Sequence, residues 1–175
     1  MTDPYLTVSD LAEACAPVDA AGDFDNERFR LWTRRLRHWT TLDILPTAAK
    51  HSEGSGQHRL YEANLAYIAS VLLRMAAAGA PLPVIKEVSE ILQTSTKGRG
   101  GFARSWRNAV ATCDDGDSLY CLVISIAEEG KSIDVSLTGA GRPSVATFRD
   151  RDYPAEPMIF LNLSAIFGLV KIQLS

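Results

Sequence analysis

Arg30, Arg34 and Arg37 follow one another at spacings of four and three residues, the pattern that gathers side chains on one face of a helix. Guanidinium groups in such a row can donate to phosphate oxygens or, two N–H groups at a time, to a planar acceptor edge. The stretch from Arg28 to Tyr61 holds seven Lys or Arg (28, 30, 34, 35, 37, 50 and 59) against two acids, Asp43 and Glu53. All three histidines, His38, His51 and His58, lie in the same stretch. The whole chain of 175 residues nevertheless carries a net charge of −3. The positive charge is therefore a local footprint on a weakly acidic chain, and it is its distribution that points to a ligand.

The element that must carry this row is legible around it. Asp25 can cap a helix, and Phe29, Trp32, Leu36 and Trp39 then recur at spacings of three, four and three. At about 100° per residue the arginines lie nearly opposite that aromatic stripe. The spacing predicts a helix that buries its aromatics and turns its guanidinium groups outward. Before it, Thr7 and Asp10 make a weak capping box, and Val8, Leu11, Ala12 and Cys15 follow helical spacing up to Pro17. After it, "DILP" ends that helix and starts an extended piece, "HSEGSGQH" is a Gly/Ser turn, and "HRLYE" returns as a second strand. Leu65, Ile68, Leu72 and Met75 mark a third helix closed at Gly79, and Val84, Ile85, Val88, Ile91 and Leu92 a fourth.

The second half changes character. "TSTKGRGG", residues 94–101, has the small and glycine-rich composition of a linker. "FARSWRNAVATC" follows as a short helix, and "LYCLVISIA", "SIDVSL", "SVATF" and "MIFLN" have the β-branched and aromatic content of strands. "NLSAIFGLVKIQLS" closes the chain as a helix with Asn162 or Ser164 as its cap, its β-branched content leaving a strand open. The expected class is α+β, with a first domain over 1–93, a linker over 94–101 and an α+β segment over 102–175.

The order of elements in the first half resembles the winged-helix DNA-binding domain of the MerR family of bacterial transcription regulators. Arg37, His38, Trp39, Thr40, Thr41, Leu42, Asp43, Ile44, Leu45 and Pro46 are similar to the family's Arg-aromatic-aromatic-acid run followed by Gly-Leu-Leu-Pro. His58, Arg59, Leu60 and Tyr61 resemble its aromatic-Arg-x-Tyr wing strand, and Gly79, Ala80, Pro81, Leu82 and Ile85 its next hallmark. Three matches in order over about 90 residues are more specific than any one of them. The chain departs from the family in having Thr40 for the acid and Asp43 for the glycine, a longer loop before the basic helix, and no long dimerisation helix after residue 92.

The resemblance implies a winged helix-turn-helix of four helices and a β-hairpin wing, followed by a small α+β segment that dimerises, senses or contacts a partner. It implies a sequence-specific transcription regulator, a homodimer on a pseudo-palindromic stretch of double-stranded DNA, with RNA polymerase as a further partner. The expected DNA contacts are Arg30, Arg34, Arg37 and His38 on the helix and Lys50, His58, Arg59 and Tyr61 on the wing, Tyr61 fitting a core position equally well. An excisionase-like or architectural DNA-bending factor, and an acidic-protein-binding module, are the alternatives.

Other patterns are weaker. Cys113 and Cys121 flank "DDGDSLY" as in a metal-responsive regulator, but Cys121 lies in an apolar strand and free Cys is often a small buried hydrophobe. "DDGD" is too short for a calcium loop, and neither "GRGG" nor "GAGRP" joins a strand to a helix as a phosphate cradle does. No serine sits in a nucleophile elbow with a histidine and an acid. We therefore expect no enzyme and no cofactor. The apolar runs fall short of the roughly 18 residues that span a bilayer, and the first ten residues lack the basic and apolar regions of a secretory leader. With three sparse cysteines, this leads us to expect a cytoplasmic protein without a membrane partner.

Overall fold

The computed structural model describes residues 5–15, 24–53, 56–113, 120–127, 132–138 and 158–174. Among them are six helices and two antiparallel three-stranded sheets, an α+β chain. The chain divides into two compact units, Met1–Leu73 with Leu169–Ser175, and Arg74–Gly168.

The first unit opens with β1 (Tyr5–Leu6) and α1 (Val8–Ala14). Thr7 caps α1 reciprocally with Asp10: the Asp10 N–H donates to Thr7 Oγ1 at 3.3 Å, and the Thr7 N–H to Asp10 Oδ2 at 2.9 Å. The basic helix is α2 (Asn26–Thr41), and Asp25 caps it by accepting from the Arg28 N–H at 2.8 Å. Strands β2 (Ala49–Glu53) and β3 (Gly56–Glu62) form a hairpin that takes into its strands residues 51–53 and 56–58 of the expected Gly/Ser turn, and residues 54–55 lie outside the described residues. β1 adds to the other side of β3 through Tyr5↔Glu62 and Leu6↔Tyr61, so β3 is the central strand. α1 packs on both α2 and β3, and Leu11, Trp32, Leu36, Trp39, Tyr61 and Leu72 are among the buried side chains of this unit.

The helix that follows, α3 (Leu65–Ala77), ends as Gly79 predicts, with φ of 87° and a bond from the Ala80 N–H to the Met75 carbonyl at 3.0 Å. α2 ends in the same way without a glycine. The Ile44 N–H reaches the Trp39 carbonyl at 2.9 Å and the Asp43 N–H reaches that of Thr40 at 3.3 Å, while Asp43 itself sits at φ of 55°. "DILP" thus ends α2 as expected, since these two bonds satisfy carbonyls that the helix end would leave open, but the extended piece begins only at Ala49.

In the second unit, α4 (Leu82–Lys97) corrects the linker expected at 94–101. Residues 94–97 continue the helix, with Thr96 Oγ1 bonded back to the Leu92 carbonyl at 2.6 Å. Only Gly98–Gly100 separate α4 from α5 (Gly101–Ala111). The division between the units falls inside α3 and the last helix, not in this glycine-rich segment. β4 (Cys121–Ala127) is the centre of the second sheet, between β5 (Ser132–Thr138) and β6 (Met158–Asn162). Asn162 caps the last helix, α6 (Leu163–Leu174), by accepting from the Ala165 N–H at 3.1 Å, and Ser164 Oγ instead accepts from the Tyr120 N–H at 2.9 Å. Trp106 meets Phe167 edge to face with ring centroids 5.0 Å apart. The strand expected at "SVATF" lies outside the described residues.

Candidate nucleic-acid interface

α2 has two chemically distinct faces because its sequence is sorted at helical period. Trp32, Leu36 and Trp39 are each 2% exposed or less. Arg30, Arg34, Arg37 and His38 are exposed on the other side. Burying the stripe fixes the rotation of the helix about its axis, and so fixes the outward direction of the arginines.

Among the described residues, the outward arginines are not spent on pairing with carboxylates. Among the described residues the one ion pair is Arg28 with Asp25, at 3.5 Å, beside the cap of α2. Neither Arg30, Arg34 nor Arg37 has a carboxylate within 4.0 Å among those residues. Exposed guanidinium groups keep their hydration and cost little in this state, and they are ready to exchange that water for an anion's oxygens.

The hairpin is fastened to α2 by a buried hydroxyl pair. Thr40 Oγ1 donates to the Leu36 carbonyl at 2.8 Å, which uses its one proton. The Tyr61 hydroxyl, 2.8 Å from Thr40 Oγ1, must therefore be the donor to it. Tyr61 is fully buried, which corrects its assignment as a DNA contact: its ring and hydroxyl face the core and hold β3 against the last turns of α2. The sequence ambiguity at Tyr61 is resolved by Thr40, which occupies the position where the resembled family carries an acid.

Arg59 stands two residues before Tyr61 on β3, hence on the same face of the strand and about 7 Å along it. It is exposed where Tyr61 is buried. Pairing of β2 with β3 sets Lys50 opposite Arg59 and His51 opposite His58. The side chains of Lys50 and His58 lie outside the described residues. The structure thus gathers Arg30, Arg34, Arg37 and His38 on one helix face and ties to that helix the strand bearing Arg59.

One residue of this face escapes a search for charge. Leu31 is 47% exposed, on the outward side of α2 one turn before Arg34. The signal in the sequence is its misfit: on a helical wheel it falls among the charged positions and not in the aromatic stripe.

The cysteine pair offers less. Cys113 is buried, its Sγ donating to the Val110 carbonyl at 3.2 Å, and burial pushes the Cys121 thiol above its ordinary pKa. At Cys121 that favours the neutral thiol over the thiolate that a soft metal ion needs. The segment 114–119 between them lies outside the described residues. Among the described residues no group of three or more His, Cys, Asp or Glu is placed to hold a metal ion. No helix among them is long and apolar enough to cross a membrane. A scan against protein-family models matches none of them, and a search of curated proteins finds no significant match.

Proposed function

We propose that this protein is a sequence-specific DNA-binding regulator of MerR-like type, in which α2 enters the major groove and the β2–β3 hairpin acts as a wing. One observation carries this: the exposed row of Arg30, Arg34 and Arg37, without carboxylate partners among the described residues, on a helix whose other face is locked into a core. A major groove about 12 Å wide admits a helix of this kind and offers it base edges between two rows of phosphates. Arg59, exposed on a strand tied to α2 through Tyr61 and Thr40, would contact the backbone beside the groove. The order β1, α1, α2, hairpin, with β3 central, accords with a winged helix-turn-helix. A homodimer reading two half-sites, and contact with RNA polymerase, belong to the same proposal through the family resemblance.

The test is binding of the full chain to its own upstream DNA and to a scrambled duplex across a salt series. A preference for the native duplex, with affinity falling steeply as salt rises, is expected. Equal binding to both duplexes would overturn the sequence-specific reading, and no binding at moderate salt would overturn DNA as the ligand of the arginine face.

A further inference from the structure

Resting on that DNA-binding reading, we infer that Leu31 reads the C5-methyl group of a thymine, on a base pair neighbouring a guanine read by Arg34. Leu31 is one of few large apolar side chains left exposed among the described residues, and it stands in the most charged face of the first unit. Glu27, Leu31, Arg34 and His38 succeed one another at spacings of four, three and four, forming one row of the outward face. Arg30 and Arg37 lie to one side of that row.

Two physical arguments assign this row to bases and not to phosphates. Glu27 is exposed, and a carboxylate pressed against a phosphate row would be repelled, whereas over base edges it can accept from a cytosine amino group. An apolar side chain likewise gains nothing from a phosphate, but in the major groove one base alone presents a methyl group. Leu31 and Arg34 are roughly 4.5 Å apart along the helix axis, close to the roughly 3.4 Å step of a duplex. That spacing sets the two contacts on neighbouring base pairs.

The same patch is a poor match for a protein partner. A stable protein interface buries about 800 Å² per partner around an apolar core. A single leucine bordered by arginines does not supply such a core, but it is the right size for one methyl group. The surrounding positive charge complements a polyanion.

The experiment uses the full chain and the duplex it enriches from a random pool. Each thymine of that duplex is replaced in turn by deoxyuridine, which removes the methyl group and leaves every hydrogen-bonding edge unchanged. At one position next to a conserved guanine, the substitution should weaken binding by about fourfold, the worth of one buried carbon. Leu31→Ala should bind the thymine and deoxyuridine duplexes equally, while keeping its preference for the guanine. An enriched duplex with no deoxyuridine-sensitive position, or a sensitivity that persists in Leu31→Ala, overturns the role of Leu31 and leaves DNA reading intact. Failure to enrich any duplex overturns both.

Discussion

At the scale of single residues, the structure separates side chains exposed on the outer face of α2 from those buried beneath it. Arg34 lies at the centre of the outward row, so Arg34→Ala should weaken binding by roughly 1–3 kcal/mol and relax specificity at one base, without unfolding the domain. Competition among duplexes with that base varied would show it; unchanged affinity and specificity would remove Arg34 from the site. Tyr61 makes the opposite prediction. Tyr61→Phe deletes the donor to Thr40 Oγ1 and should cost about 1 kcal/mol of stability, leaving the DNA affinity of the folded protein unaltered. A direct DNA contact would give the reverse pattern in paired denaturation and binding measurements. The thiol of Cys121 offers a third test. Its pKa is raised by burial, so the unfolded chain loses its thiol proton first as pH rises, and stability is lost from the ordinary thiol pKa upward. Between about pH 8 and about pH 10, the urea midpoint of the native chain should fall more than that of Cys121→Ser.

At the scale of elements, the amphipathic helices were legible because each is specified locally. The stripe Phe29, Trp32, Leu36 and Trp39 and the Asp25 cap define α2 within 15 residues, and Thr7 and Asp10 do the same for the start of α1. What escaped depended on distant partners or on weak propensities. β1 is two residues long and exists only through pairing with β3, more than 50 positions later. Residues 94–97 have a linker's composition, yet they extend α4 because a helix already formed adds residues without a new nucleation cost. The outward arginines were legible from periodicity, whereas the burial of Tyr61 was not, since it depends on Thr40 in another element. The two helix ends allow a direct comparison. Gly79 closes α3 at φ of 87°, and Asp43 closes α2 at φ of 55° with the same pair of backbone bonds. A side chain in the left-handed region carries a steric cost, and a carboxylate opposes the negative end of the helix dipole. Asp43→Gly should therefore stabilise the chain by about 1 kcal/mol, even after the added freedom of the unfolded state is counted. A urea midpoint unchanged or lowered would mean that the Asp43 side chain makes a compensating interaction.

At the scale of the whole molecule, a chain with net charge −3 is repelled by DNA unless it presents the correct face. Binding must then come from local contacts strong enough to overcome that repulsion, and each phosphate neutralised releases counterions and steepens the salt dependence by about 0.9 in the logarithmic slope. Arg30 and Arg37 flank the outward row on one side, where a phosphate backbone would run if Arg34 and Leu31 lie over bases. Replacing both by alanine should lower the slope by about 1.8 and weaken binding to native and scrambled duplexes alike. The ratio of the two affinities should stay nearly constant, because phosphate contacts carry no sequence information. A collapse of that ratio would place one of these arginines over a base, and an unchanged slope would mean that the duplex approaches α2 from the Arg35 side instead.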